Sequence, residues 1–535
     1  MQTITIEEHN AIISELKEQF NKETAEYRAA IDALTKENAI LKEETDILKK
    51  IVAALTIKVE ELEAKSKKNS KNSSKPPSSD GMKKPKATQS LREKSGRSPG
   101  GQKGHPGASL KLKDQPDEVV VLQVKDTCEC GGKITVNKDI MEKRQSTDIK
   151  PAEVITIEYR AQEGICENCG KVHKASFPEG VNATAVYGPG IQAVLTYMTN
   201  YQFLPLERAV EFIKEIYGID ISQATIIRAD KEVFTKLEPV APLIKDEIIN
   251  SDVAGFDESG MRVAGSQHWL HCAATKDAVY YTIHKKRGKD GMDDAGILPN
   301  FKGTAIHDHW KAYYKYTDCS HGECNAHHLR HLVFLSEVMG QDWAAEMICL
   351  LLRIKAHVDY SRLFGANKLG GEDIKEYENM YRAIIASGAE SIGIENPYGA
   401  TGPDLDLDLE PDQIQVGIMP DGNNAVSPPP VKTKRRKKTE PERMLIRLAQ
   451  YELETLMFMY DFDVPFDNNV TEASIRMPKL HQKISGCFRT EEGADVFARI
   501  RSFIGTVKKK GKNIMEGLRA VLDGHGADFL YPGQG

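Results

Sequence analysis

Leucine recurs every seven residues at Leu34, Leu41, Leu48, Leu55 and Leu62, and Ile13, Phe20 and Tyr27 carry the same register toward the N-terminus. Three positions before the leucines stand Ile31, Asn38, Thr45, Val52 and Val59, on a stretch free of Gly and Pro through Ala64. This 3.5-residue repeat predicts a coiled coil over residues 1–64, and Asn38 at an a position favours a paired, in-register dimer.

Between 183 and 248 the hydrophobic period becomes that of short helices. Pro205 opens one helix with Leu206, Ala209, Val210 and Ile213 on its apolar face. Tyr217-Gly218-Ile219-Asp220 predicts a turn, and Ser222 caps a second helix carrying Ala224, Ile226 and Ile227. This is the order of a helix-turn-helix, with Gln223, Thr225 and Arg228 turned outward toward DNA, though an ordinary helical hairpin fits the same pattern.

From 249 the texture alternates as strands do. Ser251 to Phe256 ends in Asp257-Glu258-Ser259-Gly260, followed by His268 to Ala274 and Ala278 to His284. A helix-like segment then leads to a short strand from Gly303 into His307-Asp308-His309-Trp310. Three strands, a helix and another strand is the order of a ribonuclease-H-like mixed α/β sheet.

The chain has 535 residues, 40% hydrophobic and 28% charged, enough for several domains. With no run of eighteen apolar residues, no membrane-spanning helix or membrane partner is expected. The polar, acidic N-terminus does not read as a secretory signal, and nine scattered cysteines suit a reducing cytoplasm rather than a disulfide scaffold.

The net charge of −6 hides a segregation. Residues 65–113 hold fourteen Lys and Arg against only Asp80 and Glu93, amid Ser, Pro, Gly and Asn. The segment 65–115 is therefore expected to be a basic disordered linker, either simply solvated or following DNA phosphates without reading sequence.

Cys128-Glu129-Cys130-Gly131-Gly132 and Cys166-Glu167-Asn168-Cys169-Gly170 flank a strand-like stretch, Val154 to Tyr159. Two close cysteine pairs, each followed by Gly for a tight turn, suit a tetrahedral structural Zn²⁺ in a small domain over 116–182. The C-x-C spacing of the first pair departs from the usual C-x-x-C, so a knuckle that has lost its metal stands as the alternative. Cys319, His321, Cys324, His327 and His328 also cluster in sequence, but a buried strand end and the helix after it account for them better than a second metal.

Asp257 and Asp308 close separate strands, the start of a divalent-metal site. Phe466-Asp467-Asn468-Asn469-Val470-Thr471-Glu472 reads as a helix start, with Asp467 or Asn468 at the cap and Glu472 about a turn in. Lys479, Lys483, Arg489, Arg499, Arg501 and Lys508 to Lys510 make this helix and its sequel basic, which suits a meeting of carboxylates, metal and phosphodiester. The bland reading of Glu472 is a solvated acid pairing with Arg476 at i,i+4.

These blocks resemble the insertion-sequence-66-type (IS66) transposases, DDE recombinases with a ribonuclease-H-like core. The resemblance rests on Asn72-Ser73-Ser74-Lys75-Pro76-Pro77-Ser78-Ser79-Asp80, Gly100-Gly101-Gln102-Lys103-Gly104-His105, Asp257-Glu258-Ser259-Gly260 and His307-Asp308-His309-Trp310. It is carried further by Cys324-Asn325-Ala326-His327-His328-Leu329-Arg330, Asn468-Asn469-Val470-Thr471-Glu472 and Lys483-Ile484-Ser485-Gly486-Cys487-Phe488-Arg489. It implies a catalytic triad of Asp257, Asp308 and Glu472, binding Mg²⁺ or Mn²⁺, with gaps of 51 and 164 residues. The long second gap would hold a helical insertion, about 336–440, within a catalytic domain over 249–520. Lys483 and Arg489, and less directly Arg476, would hold phosphate. Ser259 stands where the family more often has Thr, and Glu258 points away from the ligands. His307 and His309 flank Asp308 and are expected to pack, with orienting the site as the alternative.

The expected architecture is thus a multidomain α/β chain: coiled coil, zinc-knuckle domain, helical DNA-binding domain and ribonuclease-H-like core. The implied activity is binding of the element's ends, with metal-dependent strand cleavage and strand transfer. Expected partners are DNA, a second copy of the chain through the zipper, and accessory proteins of the same element. The expected place is the bacterial cytoplasm, on the nucleoid when bound to DNA. A catalytically inactive dimeric DNA-binding protein derived from a transposase is the competing reading. The acidic and proline-rich stretch 394–440, with its Lys432 to Lys438 run, is expected to be a disordered loop.

Overall fold

The computed structural model describes residues 112–125, 127–135, 142–148, 152–399 and 438–533, together with separate positions between 11 and 72. Most of the expected basic linker, residues 400–437, and Ile13, Tyr27, Asn38, Leu55 and Leu62 lie outside the described residues. The described positions from 11 to 66 are all helical. The seam residues among them are exposed in the single chain, Leu34 by 58%, Leu41 by 52% and Leu48 by 60%.

The chain divides into two compact units, Met1–Lys86 with Asn325–Tyr360 and Gly370–Tyr451 in the first, and Ala87–Cys324 with Ser361–Leu369 and Glu452–Gly535 in the second. In the second unit, β1 (Glu163–Ile165) and β2 (Val172–Lys174) form a small antiparallel ribbon around the second cysteine pair. Val154 to Tyr159, read as a strand, is described without one; the ribbon forms instead where the Cys166–Gly170 turn folds the chain back on itself.

Helices follow: α1 (Pro189–Thr196), which continues as a π-turn over Tyr197–Tyr201, then α2 (Leu206–Tyr217), α3 (Gln223–Lys236) and α4 (Val240–Ile249). Pro205 and Ser222 stand where the sequence puts them. Gly218 ends α2 in the left-handed region at φ 67°, and Ser222 Oγ accepts from Thr225 N–H at 3.2 Å. Ile226 is fully buried between the helices, whereas Ile227 is 45% exposed and leaves the expected apolar face.

The central sheet has the order β5-β4-β3-β6-β7. Its strands are β3 (Val253–Val263), β4 (Ser266–Ala274), β5 (Val279–His284), β6 (Thr304–His307) and β7 (Ser320–Glu323), with α5 (Lys289–Ala295) between β5 and β6. The first three are antiparallel neighbours, while β6 runs parallel to β3 and β7 parallel to β6. β3 does not end before Asp257 as expected. It runs on to Val263, because the hairpin to β4 closes only where Val263 meets Ser266 across Ala264-Gly265.

Pleating splits β3 between two layers. Ala254 and Phe256 face a core with Phe301 and Ala305 and with helices α4 and α12 (Glu491–Lys509). Met261 faces a second cluster with Leu270 and with Ile475 of α11 (Asn469–Ser485). The free edge of β5 is covered by α12: Val279 N–H donates to Thr506 Oγ1 at 3.1 Å and Tyr281 N–H to Ser502 Oγ at 2.9 Å. α10 (Glu452–Tyr460) packs on β7, and α13 (Ile514–Leu522) and α14 (Gly526–Leu530) close the C-terminus.

The first unit is helical, built from α6 (Asn325–Met339), α7 (Asp342–Leu363, up to Tyr360), α8 (Gly371–Ile392) and α9 (Glu440–Gln450). Tyr381 of α8 donates to Leu448 O of α9 at 2.9 Å, and Thr439 with Glu442 makes a capping box at the start of α9. No described helix is long and apolar enough to cross a membrane.

Candidate active site

Strand register sets two of the expected acids side by side. In the parallel pair Gly255 lies opposite Ile306. Two residues further on, Asp257 in mid-strand and Asp308 just past the end of β6 stand abreast.

Glu472 arrives on α11, which crosses β3 at Gly255. A Cβ there would lie 2.1 Å from Thr471 Oγ1 and 2.3 Å from Asn468 Oδ1, so only glycine admits the helix. Asn468 sits at the expected cap position but does not cap; its side chain donates across to Phe256 O at 2.9 Å. Its N–H points at Cys324 Sγ, 3.1 Å away.

Further along α11, Pro478 lacks an N–H, which leaves the Ser474 carbonyl without its helical donor. Tyr281 Oη of β5 donates to that carbonyl at 2.9 Å. Glu472 is thereby held over the sheet by contacts on both sides of it in the sequence.

Burial pushes the Asp257 carboxyl well above the usual carboxylate range, and the charges of Glu258, Asp308 and Glu472 push it further. A hydrogen bond from Glu258 N–H to Asp257 Oδ1, at 2.8 Å, works against that only in part. Carboxylate oxygens are the donors Mg²⁺ and Mn²⁺ prefer, and Asp308 and Glu472 stand near enough to act on Asp257, although among the described residues the oxygens of the three do not all lie within 4.8 Å of one another. The i,i+4 partner weighed for Glu472 is present but loose: Arg476 Nη2 lies 3.9 Å away on a side chain 71% exposed.

His307 is fully enclosed, stacked on Tyr313 at 4.5 Å and 3.0 Å from His321 Nδ1, and burial takes its pKa down to about 4. His309 is buried as well. His307 thus packs into an aromatic layer directly before Asp308.

Glu258 points away from Asp257, as the alternation requires, and is fully buried. Arg287 answers it: Nε and Nη2 both reach Glu258 Oε1, at 2.8 and 2.7 Å, and Tyr313 Oη donates to Oε2. The guanidinium lies 4.3 Å from the Trp310 ring and 5.0 Å from the Trp269 ring. Sequence reasoning passed over Arg287; its signal was the basic run Lys285-Lys286-Arg287 directly after a strand.

The basic residues after Glu472 divide in a way the sequence does not show. Lys479 donates to Gly260 O at 2.6 Å, Arg499 to Phe234 O at 3.1 Å, Arg501 to Asn200 O at 3.2 Å and Lys509 to Thr275 O at 2.8 Å. Lys510 pairs with Glu247 at 2.8 Å. These five have partners within the protein, so the charge expected of the helix and its sequel is spent in part on packing α11 and α12. Lys483 and Arg489 remain exposed, at the end of α11 and just beyond it. Eleven residues of helix separate Lys483 from Glu472, about 16 Å, so they flank the carboxylates instead of joining them. Gln223 and Arg228 are exposed on α3, with Thr225 half-buried at its start.

Each cysteine pair forms its own turn. Gly131 N–H donates to Cys128 O at 2.9 Å and Gly170 N–H to Cys166 O at 2.8 Å. Backbone N–H groups aimed at the sulfurs, that of Gly132 for Cys130 and that of Cys169 for Cys166, hold both thiols below their usual pKa, as a thiolate ligand requires. Among the described residues no three of the four sulfurs lie within 4.8 Å of one another.

A family model described as Transposase IS66 family matches residues 184–391 and 427–496, 278 of the 535. The chain belongs to the IS66 family of transposases. The match takes in the stretches that carry Asp257, Asp308 and Glu472. Residues 1–111 of the transposase match a second model, a family of unknown function (DUF6444), which covers the heptad region and most of the basic linker. No curated protein matches the transposase.

Proposed function

We propose that this transposase binds the ends of its element and cuts and joins DNA strands at Asp257, Asp308 and Glu472. The observation that carries the reading is the approach of three half-buried acids, from β3, the end of β6 and α11, near enough that Asp308 and Glu472 raise the proton affinity of Asp257. The sheet order supports it, since β5-β4-β3-β6-β7 is the 3-2-1-4-5 arrangement of a ribonuclease-H-like core with both aspartates at its centre.

In this reading Asp257, Asp308 and Glu472 hold divalent cations. Bound there, such ions supply a more acidic water or 3′-hydroxyl and charge stabilisation for the leaving oxygen. The protein contributes position. Gly255 and Asn468 fix where α11 begins, Tyr281 fixes its middle, and the buried aromatic layer around His307 keeps Asp308 in place. Lys483, Arg489 and Arg476 bind flanking phosphates, and Gln223 and Arg228 on α3 meet the DNA end. The four knuckle cysteines bind Zn²⁺, and the heptad helix pairs two copies. Accessory proteins of the element join the assembly on DNA.

The test is nicking and strand transfer on a labelled duplex carrying the element's own ends, in Mg²⁺ or Mn²⁺, wild type beside Glu472→Gln. Metal-dependent cutting that Glu472→Gln loses by at least about 1000-fold, with DNA binding retained, is the expected result. Equal binding and no cutting by either protein, accessory proteins included, would leave an inactive DNA-binding derivative as the better account.

A further inference from the structure

The Glu258–Arg287 pair has more organisation than the fold needs. Glu258 is wholly buried, and a buried carboxylate costs stability unless it is paired and hydrogen-bonded. Both its oxygens are used, Oε1 by Arg287 and Oε2 by Tyr313. Two of the chain's three tryptophans, Trp269 and Trp310, lie against the guanidinium. One edge gripped and the plane packed by indoles leave the side chain little freedom to turn.

The grip is incomplete in one direction. Nε and Nη2 have partners, but among the described residues Nη1 has none, and the side chain keeps 23% of its exposure. The carboxylate site lies close by: the charge of Asp308 acts on the guanidinium, and Asp308 Oδ1 accepts from the backbone N–H of Trp310, the residue whose ring lies against it, at 3.2 Å. Burial works against the guanidinium's charge, but Glu258 and then Asp308 outweigh it, so Arg287 holds its proton more firmly than usual. A structural ion pair would be enclosed at both ends. This one presents two N–H donors at the edge of an acidic centre.

We propose that Arg287 is a phosphate-binding residue of the active site, its Nη1 end contacting a phosphate of the DNA strand beside the scissile bond, with Glu258 as the positioning residue that aims it. The proposal deepens the strand-cleavage reading and rests on it for its substrate. A fixed guanidinium suits this task, since the phosphoryl oxygens gain charge as the bond breaks and a preformed donor needs no rearrangement then. Glu258→Gln keeps the shape but removes the charge that anchors Arg287; it also changes the acceptor of Tyr313 and a charge felt by Asp257, so only a penalty confined to one phosphate position reports on Arg287.

The experiment pairs a protein change with a substrate change. Duplexes carrying the element's end, each with one neutral methylphosphonate stepped across the cleavage junction, are bound in Ca²⁺ and cut in Mg²⁺ by wild type, Arg287→Gln and Glu258→Gln. At one position the wild type should lose binding and cutting, the latter by about 100-fold, while Arg287→Gln, already impaired, should lose no more. Glu258→Gln should fall between them at the same position. Thermal melting checks folding, and Arg287→Lys, which keeps the charge but not the fork, takes the place of Arg287→Gln if that variant does not fold. Penalties that multiply at every position would overturn the proposal and leave the pair a packing feature. A coupling seen in binding, with no cutting even by wild type, would keep the phosphate contact and overturn strand cleavage.

Discussion

At the scale of single residues, Asp230 shows how burial alone writes a pH dependence. It lies on α3 against the π-turn, where Thr199 Oγ1 donates to its Oδ2 at 3.3 Å, and burial pushes its pKa up to about 6. A carboxyl raised in the fold stabilises while protonated, so its contribution is whole below about pH 4 and is lost as pH rises toward 6. Asp230→Asn keeps an acceptor for Thr199 and cannot ionise. Its melting temperature should exceed that of wild type at pH 8, by at most about 3 kcal/mol of stability, and the two should converge below pH 4. A variant no more stable than wild type at pH 8 would show that Asp230 stays ionised without penalty. Nothing in the sequence marks this residue: it is one acid among many on an amphipathic helix, and only the π-turn opposite makes it a buried one.

At the scale of elements, α11 depends on one carbonyl. Pro478 withholds the donor that Ser474 O would have in a regular helix, and Tyr281 supplies another from β5. Tyr281→Phe should therefore cost about 1–3 kcal/mol by chemical denaturation, the usual penalty for a buried acceptor left unmet. In a Pro478→Ala background the helix regains its own N–H, and the same Tyr281→Phe change should cost less than half as much. Equal costs in both backgrounds would mean that Tyr281 matters by packing alone. The start of α11 was legible, since Asn468-Asn469-Val470-Thr471-Glu472 reads as a helix entry. That Asn468 would turn away to Phe256 was not, because a cap and a cross-strand donor look alike until the neighbouring strand is in place. The two helices and the turn between them were legible for the opposite reason: Gly218 and Ser222 act on their own backbone, within four residues.

At the scale of the molecule, two expectations await assembly. The exposed seam of Leu34, Leu41 and Leu48 has no cover among the described residues. If it pairs two copies, wild type should sediment as a dimer and a Leu34→Asn, Leu41→Asn, Leu48→Asn variant as a monomer; a monomeric wild type would refute the zipper. The cysteine turns call for a second measurement. Purified protein should carry about one zinc per chain by elemental analysis, and Cys166→Ser with Cys169→Ser should carry none. Metal-free wild type, purified without chelator, would mean that the knuckles have lost their ion.

The sequence by itself determined whatever depends on short-range chemistry: the heptad period, the turn at Gly218, the cysteine turns, the strand texture from 249 and the acids at Asp257, Asp308 and Glu472. Each follows from a repeat or a local backbone preference that a few neighbouring residues express. Tertiary structure decided which of those residues meet. It carried β3 past Asp257 to Val263, turned Arg499, Arg501 and Lys509 inward to backbone carbonyls, and left Lys483 and Arg489 outside. It also closed Glu258, Arg287, Tyr313 and two tryptophans into one network. Those outcomes turn on register and on which buried polar group lies opposite which, and partners separated by tens or hundreds of residues leave no periodic trace along the chain.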